Sequence, residues 1–285
     1  MAELLRGAPV AKSMTEEVAE RAALLAAAGV TPKFAIVRVG DNPSDGAYVR
    51  GALKRAERAG VATELVSLPD TISQDELLGE ISRINADCSI HGCLFLRPLP
   101  VHMDEPAVCA ALAPEKDVDG ITPGSLFGVF AGEETGFAPC TAEAVVELLE
   151  RSGVEIAGSR VTVVGRSLVI GRPVAMLLMG KNATVTICHT KTRDLASECA
   201  RADILVVAAG HAATVGASAV CDGQVVVDVG INVDETGALV GDVAFDEVEP
   251  LVRAITPVPG GVGAVTTAVL MKHVVEAAER AVQKG

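Results

Sequence analysis

The stretch Arg160-Val-Thr-Val-Val-Gly165-Arg-Ser-Leu-Val-Ile-Gly171-Arg-Pro173 decides the fold of this chain. Residues 160–164 form a mostly apolar, β-branched run that predicts a buried strand. Gly165 permits a sharp turn, and Gly171 and Pro173 are typical of the start of a helix whose amides can receive phosphate oxygens. The spacing is not the usual Gly-x-Gly-x-x-Gly, so the segment alone fits both a dinucleotide site and a purely structural strand–helix turn.

The same alternation of strand and helix extends in both directions through the 285 residues. Strands that alternate with helices form parallel sheets covered on both faces. We therefore predict an α/β fold with two α/β domains, the second a Rossmann-like parallel sheet. The predicted strands are residues 34–39, 63–68, 92–96, 160–164, 184–188, 204–208 and 225–229, and the predicted helices are residues 15–28, 47–59, 74–85, 142–151, 172–179, 193–200 and 264–282.

The domain boundary is predicted in residues 120–139, which contain several glycines and prolines and show weak periodicity. Thr141 is expected to cap the next helix, with Glu143 in its first turn. We expect a first domain at residues 1–140, completed by the C-terminal helix at residues 264–285. A Rossmann-like dinucleotide-binding domain is expected at residues 141–263.

The composition excludes several classes of function. The chain has 24 Lys+Arg and 37 Asp+Glu, a formal charge of −13. Neither a nucleic acid nor a membrane surface is therefore an expected partner, since both need a clustered basic face. The seven cysteines form no Cys-x-x-Cys pair and the five histidines are scattered, so no disulfide framework and no metal site are expected. The first residues lack an apolar signal core, and the expected location is the cytoplasm.

The end of the second predicted strand of the Rossmann-like domain indicates the type of dinucleotide. NAD enzymes place an acid there, which binds the ribose hydroxyls. Here the segment reads Cys188-His189-Thr190-Lys191-Thr192-Arg193, with no acid before Asp194, and Arg166 can face the same ribose. Hydroxyl and basic groups favour a phosphate, so NADP is the expected cofactor. The alternative is that Lys191 and Arg193 are merely solvated loop charges.

Further clusters extend the pattern. They are the turn at residues 40–43 followed by the only tyrosine, Tyr48; Arg97-Pro-Leu-Pro100; Lys116-Asp-Val-Asp119-Gly120; Asp228-Val-Gly-Ile-Asn232; and the Gly- and Pro-rich residues 255–263. A lone tyrosine on a helix is more often a core residue than a ligand contact.

Taken together with residues 164–173, however, these clusters resemble the methylenetetrahydrofolate dehydrogenase/cyclohydrolase family over nearly the whole chain. The resemblance implies a tetrahydrofolate substrate, an active-site cleft between the two domains and a homodimer formed through the nucleotide-binding domains.

The resemblance also implies site residues. Tyr48 would stack on the folate ring and Asp119 would bind the pterin, and these two are the candidate catalytic residues. The implied substrate contacts are Tyr48, Ala52, Phe95, Leu96, Arg97, Asp119, Pro259, Gly260 and Gly261. The implied dinucleotide contacts are Gly165, Arg166, Ser167, Thr190 and Ile231.

The chain departs from the family at two positions that concern the hydrolysis. Ala52 occupies the lysine position of the pattern Tyr-x-x-x-Lys, and Leu96 stands where the family has a glutamine. Hydride transfer to a dinucleotide needs mainly alignment, whereas hydrolysis needs an activated water, and a positioned acid–base group contributes about 10²–10⁴-fold. We therefore expect an NADP-dependent methylenetetrahydrofolate dehydrogenase with weak or absent cyclohydrolase activity.

Three alternatives remain open at the level of sequence. In the first, Arg50, Lys54 or Arg97 replaces the lost groups and the enzyme is a bifunctional dehydrogenase/cyclohydrolase, although Lys54 lies about 200° round the helix from Ala52. The second is a catalytically silent folate- and NADP-binding subunit. The third is a Rossmann-type dehydrogenase of another small metabolite.

Overall fold

In a computed structural model the chain divides into two compact units. The structure describes the backbone of residues 1–284 and the side chains in that range, except those of residues 43–45, 47 and 284. The large-sheet unit comprises residues 1–11 and 141–266, and the small-sheet unit comprises residues 12–140 with the C-terminal segment from residue 267. In chain order the elements are β1 (Glu3–Leu4), α1 (Gly7–Ala27), β2 (Lys33–Val39), α2 (Pro43–Arg58), β3 (Ala62–Leu68), α3 (Gln74–Ala86), β4 (Gly92–Phe95), α4 (Glu105–Ala110), α5 (Pro123–Ala131), α6 (Cys140–Arg151), β5 (Arg160–Val164), α7 (Gly171–Gly180), β6 (Thr184–Cys188), α8 (Leu195–Ala200), β7 (Ile204–Val207), β8 (Val225–Asp228), β9 (Asn232–Val233), β10 (Leu239–Val240), α9 (Phe245–Val248), β11 (Ala254–Ile255) and α10 (Thr266–Lys284).

The large-sheet unit is built on a six-stranded parallel sheet in the order β1-β11-β8-β7-β5-β6, with β9 and β10 forming a separate antiparallel pair. From β5 the chain moves outward to β6 and then returns to the other side of β5 as β7. The strand order therefore reverses between β5 and β7, and ligands of such sheets bind outside the carboxyl ends of the strands at this switch point.

The small-sheet unit is built on a three-stranded parallel sheet in the order β3-β2-β4. The central strand β2 pairs with β3 from Lys33↔Ala62 to Val39↔Leu68, and with β4 from Phe34↔Gly92 to Val37↔Phe95. Residues 34–37 of β2 are buried, as expected for a strand covered on both faces.

The predicted fold class is confirmed, and so are all seven predicted strands, whose ends differ from the prediction by no more than one residue. The seven predicted helices are also present. The first, α1, begins at Gly7 rather than at residue 15. Pro9 obscured this start, yet it stands in the first turn, where the missing N–H costs no helical hydrogen bond.

Residues 120–139 were predicted as a boundary region, but they contain α5. Thr122 caps this helix by accepting the Ser125 N–H at 3.1 Å, Pro123 begins it, and Gly132 ends it in the left-handed conformation. The same glycines and prolines that suggested a linker are thus the start and stop residues of a helix. Thr141 is likewise not the cap of the next helix, because α6 already begins at Cys140; Glu143 is in its first turn as predicted.

The first eleven residues belong to the large-sheet unit, whereas the sequence placed them in the first domain. The physical reason is strand pairing, since β1 adds to the edge of the six-stranded sheet by pairing with β11. Two-residue strands carry no periodicity, so this pairing left no signal in the sequence. Within residues 1–284 no helix combines the length and the apolar character needed to cross a membrane.

Candidate functional site

At the switch point of the large sheet, two glycines allow unusually close backbone packing. Gly165 follows β5 with φ +132°, and a Cβ at this position would overlap the carbonyl oxygen of Ala208, the residue after β7. A Cβ at Gly171 would overlap the Gly165 carbonyl. The turn after β5, the start of α7 and the end of β7 therefore converge, as in dinucleotide-binding turns.

The first amides of α7 are already used inside the turn. The Ser167 hydroxyl accepts the N–H groups of Ile170 and Gly171 at 3.1 and 3.4 Å, and the Ser167 carbonyl accepts that of Arg172 at 3.0 Å. Pro173 has no N–H. The expectation that the amides of α7 receive phosphate is therefore corrected, and the exposed side chains of Arg166 and Ser167 are the groups presented at this edge.

The loop after β6 presents cations at the same edge of the sheet. His189 N–H donates to Thr192 Oγ1 at 2.8 Å and Thr192 N–H returns to the His189 carbonyl at 2.8 Å, which forms a tight turn. Thr190, Lys191 and Arg193 are exposed around it. The first acid, Asp194, caps α8 by accepting the Ser197 N–H at 3.2 Å. No carboxylate therefore occupies the place at which NAD enzymes bind the ribose hydroxyls.

Two buried aspartates, which sequence reasoning missed, lie behind this edge. Asp228 ends β8 and accepts the N–H groups of Gly230, Asp242 and Val243 at 2.9–3.0 Å. Burial raises the pKa of Asp228 to about 6 against the opposing effect of these three amides. The sequence signal for these buried acids was the glycine near each of them, Gly230 and Gly241. A Cβ on Gly230 would overlap Asp242, and a Cβ on Gly241 would overlap Asp228.

The Gly-rich segment after β11 is held by the N-terminal residues. Gly7 N–H donates to the Gly260 carbonyl at 2.8 Å, and a Cβ on Gly7 would overlap the Gly261 carbonyl. Gly260 has φ +107° and the Val258–Pro259 peptide is cis. Gly7 was not a candidate residue from the sequence, because its partner lies more than 250 positions away.

In the small-sheet unit, Tyr48 and Ala52 lie one turn apart on the same face of α2. The Tyr48 side chain is half-exposed, whereas Ala52 is fully buried. Arg50 and Lys54 are exposed on other faces of the helix, so Lys54 does not take the place of a lysine at position 52. The Pro43 side chain, part of the turn that precedes Tyr48, lies outside the described residues.

Asp119 is the carboxylate that interacts with Tyr48. Burial raises the pKa of Asp119 to about 6, and the Arg97 charge, a hydrogen bond from Cys140 and the nearby His273 all oppose the rise. Burial and the Asp119 charge raise the pKa of the Tyr48 hydroxyl. The fold therefore brings together three predicted substrate contacts: Tyr48, Arg97 and Asp119.

The neighbours of Asp119 in its motif have structural roles. Asp117 is buried and accepts the N–H groups of Ile121 and Thr122 at 3.0 and 2.7 Å. Lys116 donates to the carbonyls of Ile84 and Asp87 at 2.6 and 2.7 Å, at the end of α3. These bonds hold the turn, and Asp119 is the acid of the motif that remains available for a ligand.

The segment after β4 supplies one charged and two apolar candidates. Phe95 and Leu96 are buried, and the half-buried Arg97 lies 3.7 Å from Glu105, measured between Nη1 and Oε1. The Arg97–Pro98 peptide is cis. Position 96 thus has no polar group that could orient a water. Among the described residues, no group of three or more His, Cys, Asp or Glu side chains is arranged to hold a metal ion.

Both parts of the chain match models of one protein family. Residues 5–119 match the tetrahydrofolate dehydrogenase/cyclohydrolase catalytic domain, and residues 139–282 match the NAD(P)-binding domain of the same family. Proteins named bifunctional protein FolD from Carboxydothermus hydrogenoformans and Clostridioides difficile are 50% and 49% identical to this chain. The alignments cover 98% of both chains in the first case and 96% in the second.

Solved structures agree with these matches. The bifunctional FolD methylenetetrahydrofolate dehydrogenase/cyclohydrolase from Campylobacter jejuni superposes with a TM-score of 0.95 at 38% identity, covering 98% of this chain and 99% of the other. The Trypanosoma brucei dehydrogenase–cyclohydrolase, solved with NADP and an inhibitor, has a TM-score of 0.91 at 38% identity and covers 99% of each chain. The chain therefore belongs to the tetrahydrofolate dehydrogenase/cyclohydrolase family.

Proposed function

We propose that this chain oxidises 5,10-methylenetetrahydrofolate with NADP and then hydrolyses the methenyl product. The observation that carries the proposal is the cluster of Tyr48, Asp119 and Arg97, found in one chain with a close-packed glycine turn at the switch point of a parallel sheet. The family membership makes tetrahydrofolate derivatives the substrate class. The relatives named above are called bifunctional, which favours two activities over the dehydrogenase alone.

The residues of the large-sheet unit fit a dinucleotide that carries a 2′-phosphate. Gly165 and Gly171 let the turn after β5 pack directly against the end of β7 and the start of α7, a close-packed glycine turn of the kind found in dinucleotide sites. Arg166, Lys191 and Arg193 are exposed cations, and the first acid after β6 already caps a helix. The related Trypanosoma brucei enzyme binds NADP, which supports the same cofactor here. We assign Gly165, Arg166, Ser167, Thr190 and Ile231 to cofactor binding.

In the oxidation, the side chains of the small-sheet unit hold and orient the pterin. The Tyr48 ring provides a stacking surface, and ionised Asp119 accepts hydrogen bonds from pterin N–H groups. A C–H bond of the bridging carbon breaks and its electron pair leaves with the hydrogen, which generates the methenyl cation. When bound, NADP supplies the carbon that accepts this hydride. We assign Ala52, Phe95, Leu96 and Arg97 to substrate binding, and likewise Pro259, Gly260 and Gly261.

In the hydrolysis, water adds to the methenyl carbon, loses a proton, and a C–N bond then opens to give the formyl product. Ala52 and Leu96 cannot accept that proton. Asp119, with a pKa of about 6, is largely ionised at neutral pH and basic enough to act as the acceptor. Arg97 lies close enough to stabilise the carboxylate, and its own guanidinium is too basic to serve as a base.

A dehydrogenase without cyclohydrolase activity is the second candidate. The specific observation in its favour is that Ala52 is fully buried and Leu96 nearly so, so two positions that could bind a water are apolar. The relatives named bifunctional do not support this reading, which was the original expectation from the sequence.

One spectrophotometric assay of both half-reactions separates the candidates. The full-length protein is mixed first with methylenetetrahydrofolate and NADP, and separately with methenyltetrahydrofolate. We expect NADPH formation in the first mixture and methenyl decay well above the spontaneous rate in the second. Decay at the spontaneous rate would select the monofunctional enzyme. Binding without NADPH formation would select a silent subunit, and no binding of folate would select a dehydrogenase of another metabolite.

We also infer a homodimer formed through the large-sheet unit. β6 is an edge strand of the six-stranded sheet, and its exposed residues include Ile187. Exposed Met179 lies close to β6 in sequence, at the end of α7. An exposed edge strand with apolar side chains is a template for pairing with a second copy. Light scattering during size exclusion should give twice the chain mass, and Ile187→Lys should reduce it to the monomer; a wild-type monomer would contradict the inference.

A further inference from the structure

The buried Asp242 joins two loops at the carboxyl edge of the large sheet. Its Oδ2 accepts the Gly210 N–H at 2.8 Å, and its Oδ1 accepts the Asn232 Nδ2–H at 2.9 Å. Gly210 lies in the loop after β7 and Asn232 begins β9, just after the loop that follows β8. Because β7 and β8 are neighbouring parallel strands, with Val207 opposite Asp228, both loops start at the same edge.

These two loops flank the switch point. The loop after β7 begins with Ala208, whose carbonyl packs against Gly165. The loop after β8 carries Ile231, whose side chain is 68% exposed although the segment around it is anchored to buried carboxylates. In doubly wound sheets these loops form the walls of the crevice that receives the dinucleotide.

Asp242 is held in one orientation by its own backbone. Its N–H donates to Asp228 Oδ1 at 2.9 Å, and its carbonyl accepts the Val215 N–H at 3.2 Å. Asp228 is fixed in turn by the amides of Gly230 and Val243. The carboxylate of Asp242 therefore has little freedom, and any change at this position acts directly on the two loops.

Both side-chain partners of Asp242 are donors, and its two carboxylate oxygens accept one hydrogen bond from each. An asparagine has one oxygen for the Gly210 N–H, and its NH2 group can bond Asn232 only if the Asn232 amide turns over. An alanine at position 242 leaves both donors without an acceptor. Burying two carboxylates, Asp228 and Asp242, is costly because no Lys or Arg side chain among those that the structure describes pairs with either, and such groups are best attested where they set one specific arrangement.

We propose that Asp242 is a positioning residue for the dinucleotide: its carboxylate fixes the distance between the loops after β7 and β8, so that the cofactor meets a preformed crevice. The inference rests on the proposed cofactor. It predicts that losing the hydrogen bonds of Asp242 lowers cofactor affinity even when the unit remains folded. The loops after β7 and β8 would then be less ordered in the free protein and would have to be ordered on binding.

The test is a fluorescence titration of the full-length protein with NADPH, paired with thermal unfolding. Asp242→Ala should weaken NADPH binding by about tenfold, since it leaves two buried donors unpaired. The exchange Asp242→Asn with Asn232→Asp restores one acceptor to each donor and should return the affinity to within about threefold of the wild type. Val248→Ala, which opens a cavity in the core of the same unit without removing a hydrogen bond of Asp242, is the control for lost stability.

The outcomes separate the inference from the proposed function. Weak binding by Asp242→Ala, recovery in the exchange variant and unchanged affinity in Val248→Ala would support it. Wild-type affinity in Asp242→Ala, or equal weakening in Val248→Ala, would overturn it, as would an exchange variant that folds but does not recover. If Asp242→Ala fails to fold, Asn232→Ala replaces it, with about threefold weaker binding expected and no change overturning the inference. Wild-type protein that binds no NADPH would overturn the proposed cofactor as well.

Discussion

The carboxyl edges of the two sheets are built differently. At the large sheet, close-packed glycines such as Gly165 and Gly171 and the buried acids Asp228 and Asp242 shape the backbone, and the exposed groups are cations. At the small sheet, an ionisable pair, Tyr48 and Asp119, lies in one unit with the apolar positions 52 and 96. We expect the first edge to recognise a ligand by backbone shape and charge, and the second to alter reactivity through the protonation of one side chain. Substitutions at the first should therefore change stability and affinity, and substitutions at the second should change rates.

The largest effect is expected for Asp119→Asn. The amide keeps the shape of the side chain but cannot accept a proton, so hydrolysis of methenyltetrahydrofolate should fall by about 10²–10⁴-fold, and oxidation by a smaller factor. Stopped-flow absorbance of both half-reactions measures the two factors. Lys54→Ala, on an exposed face of the same unit, is the control and should leave both rates unchanged. Loss of hydrolysis in Lys54→Ala would transfer the proton acceptor to Lys54.

The backbone shape of the large-sheet edge is tested by Gly165→Ala. The added Cβ meets the Ala208 carbonyl and φ is +132°, so we expect the free energy of unfolding to fall by about 3 kcal/mol or more. Gly153→Ala is the matched control, because Gly153 also has positive φ, +70°, but has open space around its Cβ position. It should lose only about 1 kcal/mol in urea denaturation. Equal losses of unfolding free energy in the two variants would show that close packing at Gly165 contributes nothing to stability.

The charge at the same edge is tested by Arg166→Ala. Removing the cation should weaken NADPH binding by about tenfold, or about 1.4 kcal/mol, while leaving the weaker NADH binding nearly unchanged. Fluorescence titrations with the two reduced dinucleotides give the ratio. Arg201→Ala removes an exposed arginine that pairs with Glu198 in the same unit and serves as the control for net charge. A similar loss for NADPH and NADH would rule out the assignment of Arg166 to the 2′-phosphate.

The smallest effect is the pH dependence of stability at the small-sheet edge. The pKa of Asp119 in the folded state, about 6, is above its ordinary value of 3.8, so the folded protein holds this proton more tightly than the unfolded chain. Relative to Asp119→Asn, wild-type stability should therefore be unaffected by this group below about pH 4 and should fall by about 1 kcal/mol as the pH rises through 6. Urea denaturation of both proteins at pH 4, 5, 6 and 7 measures the difference. A difference that grows in the opposite direction would mean that the charged form is the stabilised one.

The sequence predicted most of the elements because the longer strands are rich in apolar and β-branched residues and the helices have clear periodicity. It could not predict β1 or β11, each of two residues, since their existence depends on pairing over about 250 positions. Helix α5 was lost because its Pro and Gly termini resemble a linker. Local sequence signals predict the longer helices and strands, whereas short edge strands and short helices depend on what they pack against.

The candidate site shows the same division. Gly165 and the cations near it follow from the spacing after one strand, but Asp119 became a candidate only through the family resemblance, and the structure then explained why Asp117 is not an equivalent choice. Gly7 was missed because its partner lies more than 250 positions away. The roles of Asp228 and Asp242 were missed because a buried aspartate has the same letter as a solvated one.

The discontinuity of both units has a consequence for the chain as a polymer. Residues 1–11 complete the large-sheet unit, whose main body is residues 141–266. The segment from residue 267 completes the small-sheet unit, whose main body is residues 12–140. No single cleavage can release an intact unit, and during translation neither unit has all of its residues until residue 266 has been made. Proteolytic dissection or expression of residues 12–140 or 141–266 alone should therefore yield fragments with an open sheet edge or an uncovered core. A separate large-sheet unit needs residues 1–11 rejoined to residues 141–266 by a linker.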